Sequence, residues 1–182
     1  MTVSTPTVSG QILTSAYVNN NINSGLTYIT SATIGTAVAT ATVSGAFSTT
    51  YDNYRVIISN ITCSGNQPGL RLQLGATATG YYYAGFEMSY SAGVVSPANS
   101  SNTTSWYVGN FGNATSMSST VEIQRPFATQ NSNYSATAGS TAWSVVQNGY
   151  LADTTSYTAL TIFASTGTIT GGTIAVYGYR KV

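Results

Sequence analysis

Side chains able to do acid–base chemistry are scarce: Asp52, Glu87, Glu122 and Asp153 are the only carboxylates in 182 residues. Two carboxylates held close together can hydrolyse a glycosidic bond, one as the acid and the other as nucleophile or base. Their settings argue for structural roles instead. Asp52 and Asp153 stand in turn sequences, and Glu87 and Glu122 stand in strand sequences where an arginine can pair with each. The chain has no histidine, the commonest general base and metal ligand, so no Ser-His-Asp or Cys-His arrangement can be built from it. Its one cysteine, Cys63, allows no intrachain disulfide and no structural zinc site. Lys181, the only lysine, lies at the tail, and so few carboxylates argue against calcium. No glycine-rich phosphate loop precedes a helix. The residues therefore predict no catalytic, cofactor or metal site, and a chain that is not an enzyme.

The chemistry that remains is aromatic. Tyr81-Tyr82-Tyr83, Tyr90 and Trp106-Tyr107 are dense enough to form a platform on which sugar rings stack, and Tyr81, Tyr83, Trp106 and Tyr107 are its candidate glycan contacts. The competing reading is packing. Alternation along a strand turns half of these rings inward, and tyrosine fills a core with its hydroxyl at the rim. Exposed aromatics on the loops expected at 93–103 and 109–118 would favour sugar binding.

The elements that position these residues read as strands. Charged residues are 5% of the chain, against roughly 25% in ordinary domains, while Val, Ile, Thr and Tyr abound and fit pleated, half-buried surfaces. The tail TGTITGGTIAVYGYRKV, 166–182, alternates with a period of two from Thr173 to Tyr179, and Gly171-Gly172 is the expected turn before it. Leu160–Phe163, Arg55–Ile58, Leu70–Leu74, Tyr81–Tyr90, Trp106–Val108, Ser119–Gln124, Tyr134–Ala138 and Ala142–Gln147 read as further strands, with one or two more between Thr33 and Phe47. The stretch 93–103, rich in Ser and Asn and carrying Pro97, reads as an exposed loop. Eight to ten short strands imply an all-β fold, an antiparallel β-sandwich or jelly roll. Leu70, Leu72, Leu74, Val56, Ile58, Val121, Ile123, Ile162, Ile174 and Val176 are its expected core.

One helix stands out. After a polar arm, Thr14 can cap a helix to about residue 29 with Val18, Ile22, Leu26 and Ile29 on one face and Leu13 as a staple. Asn19-Asn20-Asn21 weakens it, so it needs packing, either as an ordinary amphipathic helix lying on its own domain or as an anchoring or oligomerising element against another chain. The chain divides on this reading into an attachment or oligomerisation segment, 1–32, and a β-sandwich head, 33–182. Leu13, Val18, Ile22, Leu26 and Ile29 are the candidate oligomerisation residues, spaced near a coiled-coil seam. A net charge of +1 puts little repulsion between copies, which favours self-assembly. Five dispersed basic residues make no nucleic-acid surface. No stretch nears the roughly 20 apolar residues of a membrane helix, and the N-terminus has no signal-peptide pattern.

Four stretches, taken in order, resemble short bacteriophage virion structural proteins. They are Gly10-Gln11-Ile12-Leu13-Thr14-Ser15 running to Val18-Asn19; Tyr51-Asp52-Asn53-Tyr54-Arg55-Val56-Ile57-Ile58-Ser59-Asn60; Tyr81-Tyr82-Tyr83-Ala84-Gly85; and 166–174 with Tyr177-Gly178-Tyr179-Arg180-Lys181. The resemblance implies an N-terminal attachment segment, a β-sandwich head and a place on the surface of a virion, as a tail-fibre knob or capsid decoration, made in the host cytoplasm. Its implied partners are further copies of itself in a homotrimer, other virion proteins and, on the alternative reading as a receptor-binding tail protein, host cell-surface polysaccharide. Long shaft repeats are absent from the sequence, which favours a compact knob or decoration over a full-length fibre.

Overall fold

A computed structural model describes residues 25–112 and 116–181. Twelve strands are present among them: β1 (Leu26–Thr33), β2 (Thr40–Val43), β3 (Asn53–Cys63), β4 (Gly69–Leu74), β5 (Tyr81–Ser89), β6 (Val95–Thr103), β7 (Trp106–Asn110), β8 (Met117–Gln124), β9 (Ser132–Ser140), β10 (Trp143–Leu151), β11 (Leu160–Ala164) and β12 (Ile169–Tyr179). They form two sheets, an eight-stranded one in the order β1-β12-β3-β8-β9-β10-β5-β6 and a four-stranded one in the order β2-β11-β4-β7. Every pairing is antiparallel. The described chain is all-β, with two sheets sharing one hydrophobic core as in a sandwich.

The alternation of the sequence becomes the two faces of each sheet. In β3, Tyr54, Val56 and Ile58 point inward while Arg55, Ile57 and Ser59 point outward, and in β4 the three leucines face in and Arg71 and Gln73 face out. All ten core residues expected from the sequence are buried. Burying aliphatic side chains of this size is worth roughly 1.5–3 kcal/mol each.

Three local expectations differ from the structure. The helix expected to run to residue 29 is replaced over its last part by β1, where Leu26 pairs with Tyr179 and Tyr28 with Tyr177. Thr27, Tyr28, Ile29 and Thr30 are β-branched or aromatic, and a ladder against β12 satisfies their backbone better than a marginal helix. The sheet thus begins at Leu26, inside the segment assigned to the arm, and the remainder of the helix expectation lies outside the described residues. Second, 95–103 is the edge strand β6 rather than a loop. Pro97 is tolerated there because β6 pairs with β5 alone. Third, Gly171-Gly172 lies within β12 as a bulge, not ahead of it as a turn. Gly172 has φ 116° and a Cβ on it would come 2.7 Å from Ile61 Cα, so only glycine fits. Leu160–Ala164 and the final strand, though consecutive, belong to different sheets.

Among the described residues, no helix is long and apolar enough to cross a membrane.

Candidate functional site

Tyr81, Tyr83, Trp106 and Tyr107 come together at the junction where β5 and β10 meet β7, turned toward the core, whereas Tyr82 stacks on Tyr150 at the outer face and Tyr90 is exposed. Tyr81 and Trp106 are completely buried and Tyr107 nearly so. The Tyr81 and Trp106 rings pack edge to face with centroids 5.3 Å apart, and Trp106 stacks on Tyr134 at 4.5 Å. Their polar atoms are used within the fold. Leu74 N donates to Tyr81 Oη at 2.8 Å, Trp106 Nε1 donates to the Tyr150 carbonyl at 3.2 Å, and Tyr134 Oη donates to the Tyr107 carbonyl at 3.0 Å. The expectation of a sugar platform at Tyr81, Trp106 and Tyr107 is therefore corrected: rings without exposed faces have nothing to offer a sugar. Tyr83 is half-buried. The loops that were to present aromatics do not: 93–103 contains none, and Phe111 is buried.

At the rim of this cluster sits a charged network. Arg71 Nη1 donates to Tyr83 Oη at 2.8 Å, and its guanidinium lies 5.7 Å from the Tyr83 ring centre and 4.9 Å from that of Tyr107. Tyr107 Oη donates to Glu87 Oε2 at 2.6 Å and Asn110 Nδ2 donates to the same oxygen at 3.2 Å. Glu87 thus binds a phenol and an amide rather than the arginine expected for it. Glu122 does have its arginine, with Arg55 Nε donating to Oε1 at 2.6 Å. Asp52 pairs with Lys181 Nζ at 2.8 Å. Asp153 accepts from Thr155 N and Tyr157 Oη, each at 2.7 Å, and hydrogen bonding from the Thr155 side chain, then from Tyr157, holds its carboxyl below the usual range. Each of the four carboxylates is committed to a partner within the fold. Among the described residues no three His, Cys, Asp or Glu side chains gather as a metal site. Cys63 is buried, and burial pushes its thiol up, away from a reactive thiolate.

Burial also raises the phenols of Tyr81, Tyr107 and Tyr134, and Tyr107 is raised further by its bond to Glu87. Their protons are held past the ordinary tyrosine pKa of about 10. The stability this represents is complete below that pH and falls as pH rises above it, because there only the unfolded chain ionises. In an alkaline titration, these three should ionise only together with loss of the folded circular-dichroism signal.

One buried residue is out of keeping with its surroundings. Gln147, on the core face of β10, is fully buried and neither end of its amide has a hydrogen-bond partner among the described residues. Its Cδ lies 2.9 Å from where a Gly85 Cβ would stand, so the side chain crosses over that glycine. An unpaired buried amide is costly. Gln147→Leu is expected to raise stability by about 1–3 kcal/mol, read as a shift of the urea midpoint. No sequence signal marks this residue, since it sits in the polar-looking run Gln147-Asn148.

Of the candidate oligomerisation residues, Leu13, Val18 and Ile22 lie outside the described residues. Leu26 and Ile29 stand on β1, where they cannot continue a helical seam; Ile29 packs against the core.

No protein-family model matches the chain, and no curated protein matches it in sequence.

Proposed function

We propose that the chain is a non-enzymatic structural protein displayed on the surface of a bacteriophage particle, as a fibre knob or capsid decoration, built as a homotrimer. The observation that carries the assembly part of this reading is an exposed apolar row on the outer face of the large sheet. Phe86, Val95 and Tyr150 stand 44%, 58% and 38% exposed there, and Tyr150 stacks against Tyr82 at 4.8 Å. With almost no charge around it, such a row favours contact with another protein surface. The engagement of all four carboxylates supports the non-enzymatic part.

The virion part rests on the resembling stretches. Two of them, 51–60 and 166–181, lie far apart in sequence yet supply most of the neighbouring strands β3 and β12, and a third opens β5. The jelly-roll description belongs to the same proposal. The pairs β1–β12, β2–β11, β3–β8 and β4–β7 nest one inside the next, as in a long hairpin rolled into two Greek keys. On this reading the hairpins β5–β6 and β9–β10 are insertions that widen one sheet.

Light scattering on the full chain tests the assembly. A particle of three times the 18.9 kDa chain mass is expected, and a folded, monodisperse monomer at micromolar concentration would remove intrinsic trimerisation from the proposal.

A further inference from the structure

A cavity of about 330 Å³ opens at the end of the sandwich where β3 begins and β8 and β12 end. Three loops and the tail converge on it, bringing Tyr51, Asp52, Arg125, Phe127, Ser156 and Lys181 to its walls. Its charges are unbalanced. Lys181 Nζ is held by Asp52 Oδ1 at 2.8 Å and by the Thr49 carbonyl at 3.0 Å. Arg125 has no carboxylate partner among the described residues, and its only side-chain hydrogen bond is to Gln130 Oε1 at 3.4 Å. Among the described residues that line the cavity, its guanidinium is the one cation free to meet an anion.

The backbone at Arg125 is unusual too. Its φ is 58°, in the left-handed region, and Pro126 follows directly. That region is costly for a residue with a Cβ, and a following proline restricts it further. The conformation is fixed by hydrogen bonds from Arg125 N to the Asp52 carbonyl at 2.6 Å and from Ala128 N to the Arg125 carbonyl at 3.1 Å. Glycine would adopt it without strain, yet the position carries a long cationic side chain. Strain of this kind gathers at ligand sites.

We propose that this cavity binds an acidic saccharide, a sugar bearing a carboxylate. The partly buried rings of Tyr51 and Phe127 offer apolar surface to the sugar's C–H face, Ser156 offers a hydroxyl, and Arg125 takes the carboxylate as a paired acceptor. The volume is at the lower end of small-molecule sites and large for a bare anion. A bare phosphate would leave the apolar walls of Tyr51 and Phe127 uncovered, which favours a sugar carboxylate over it. The site goes beyond a structural role and does not depend on where the protein resides, so its failure would leave the particle reading intact.

Calorimetric titration of the full chain with trigalacturonic acid and with a sialylated trisaccharide tests it, with a neutral galactose trisaccharide and inorganic phosphate as comparators. At least one acidic sugar should bind saturably, and the neutral sugar and phosphate at least tenfold more weakly. Arg125→Gly should weaken the acidic sugar at least tenfold while the melting temperature holds or rises, because glycine relieves the left-handed backbone. Phe127→Ala should weaken binding as well. Absence of saturable binding by both acidic sugars at millimolar concentration overturns the proposal. So does equal affinity for phosphate or the neutral sugar, or unchanged binding in a folded Arg125→Gly variant.

Discussion

Replacing Gly149 with valine is expected to lower the melting temperature by roughly 10–20 °C or to abolish soluble expression. Gly149 lies in β10 between Tyr83 of β5 and Tyr134 of β9. A Cβ there would overlap the Tyr82 carbonyl oxygen and stand 2.8 Å from both Tyr83 Cα and Tyr134 Cε1. Two of those neighbours are backbone of a paired strand and cannot move without breaking the ladder. The third is the ring on which Trp106 stacks, so any shift spreads into the core. Gly139, in β9, is the control: its Cβ would meet only Tyr90 Oη at 3.9 Å, and Gly139→Val should melt within a few degrees of the parent. Similar melting temperatures for the two variants would contradict the packing described for this junction.

Trp106→Ala should cost about 3–5 kcal/mol. The side chain is wholly buried, packs against Tyr81 and Tyr134, and donates to the Tyr150 carbonyl. It is the point where the small sheet, through β7, bears on β9 and β10. Removing it leaves a cavity walled by rings that are themselves held by hydrogen bonds, so collapse around the gap is limited. Trp106→Phe keeps most of the apolar volume and should cost clearly less. Denaturant midpoints with unchanged slopes would read the difference directly. A loss under 1 kcal/mol for the alanine variant would mean that the ring cluster is not the core contact it is taken to be.

Most of the fold was legible where a strand has one buried face. Val56 and Ile58, Leu70 to Leu74, and Val121 and Ile123 alternate cleanly with polar neighbours, and each of them is buried. Alternation fails where both faces or neither face is covered. Beyond Val95, the outer residues of β6 are Pro, Asn and Ser because an edge strand needs few apolar contacts, so it reads as loop. Leu26 and Ile29 happen to continue a helical spacing from Val18 and Ile22, and only the pairing of Tyr28 with Tyr177, far along the chain, shows a strand. Periodicity also says nothing of partners. That β11 and β12 part into different sheets follows from contacts with β4 and β3 about a hundred residues earlier. The aromatic residues stand out as a group, but their direction is not legible: Tyr81, Trp106 and Tyr107 turn inward, while Tyr90 is exposed and Tyr82 stacks on Tyr150 at the outer face. The cavity around Arg125 was invisible for a related reason: its walls come from segments near residues 50, 127, 156 and 181, none with a pattern of its own.

The most direct test of the central claim is electron microscopy of intact, purified virions produced by cells that carry this gene, labelled with antibody raised against the folded head. The account predicts label at regular positions on the outside of the particle, with quantitative mass spectrometry of the same particles giving a copy number divisible by three. Particles that carry neither label nor peptides from this chain, while the protein accumulates free in the lysate, would contradict it.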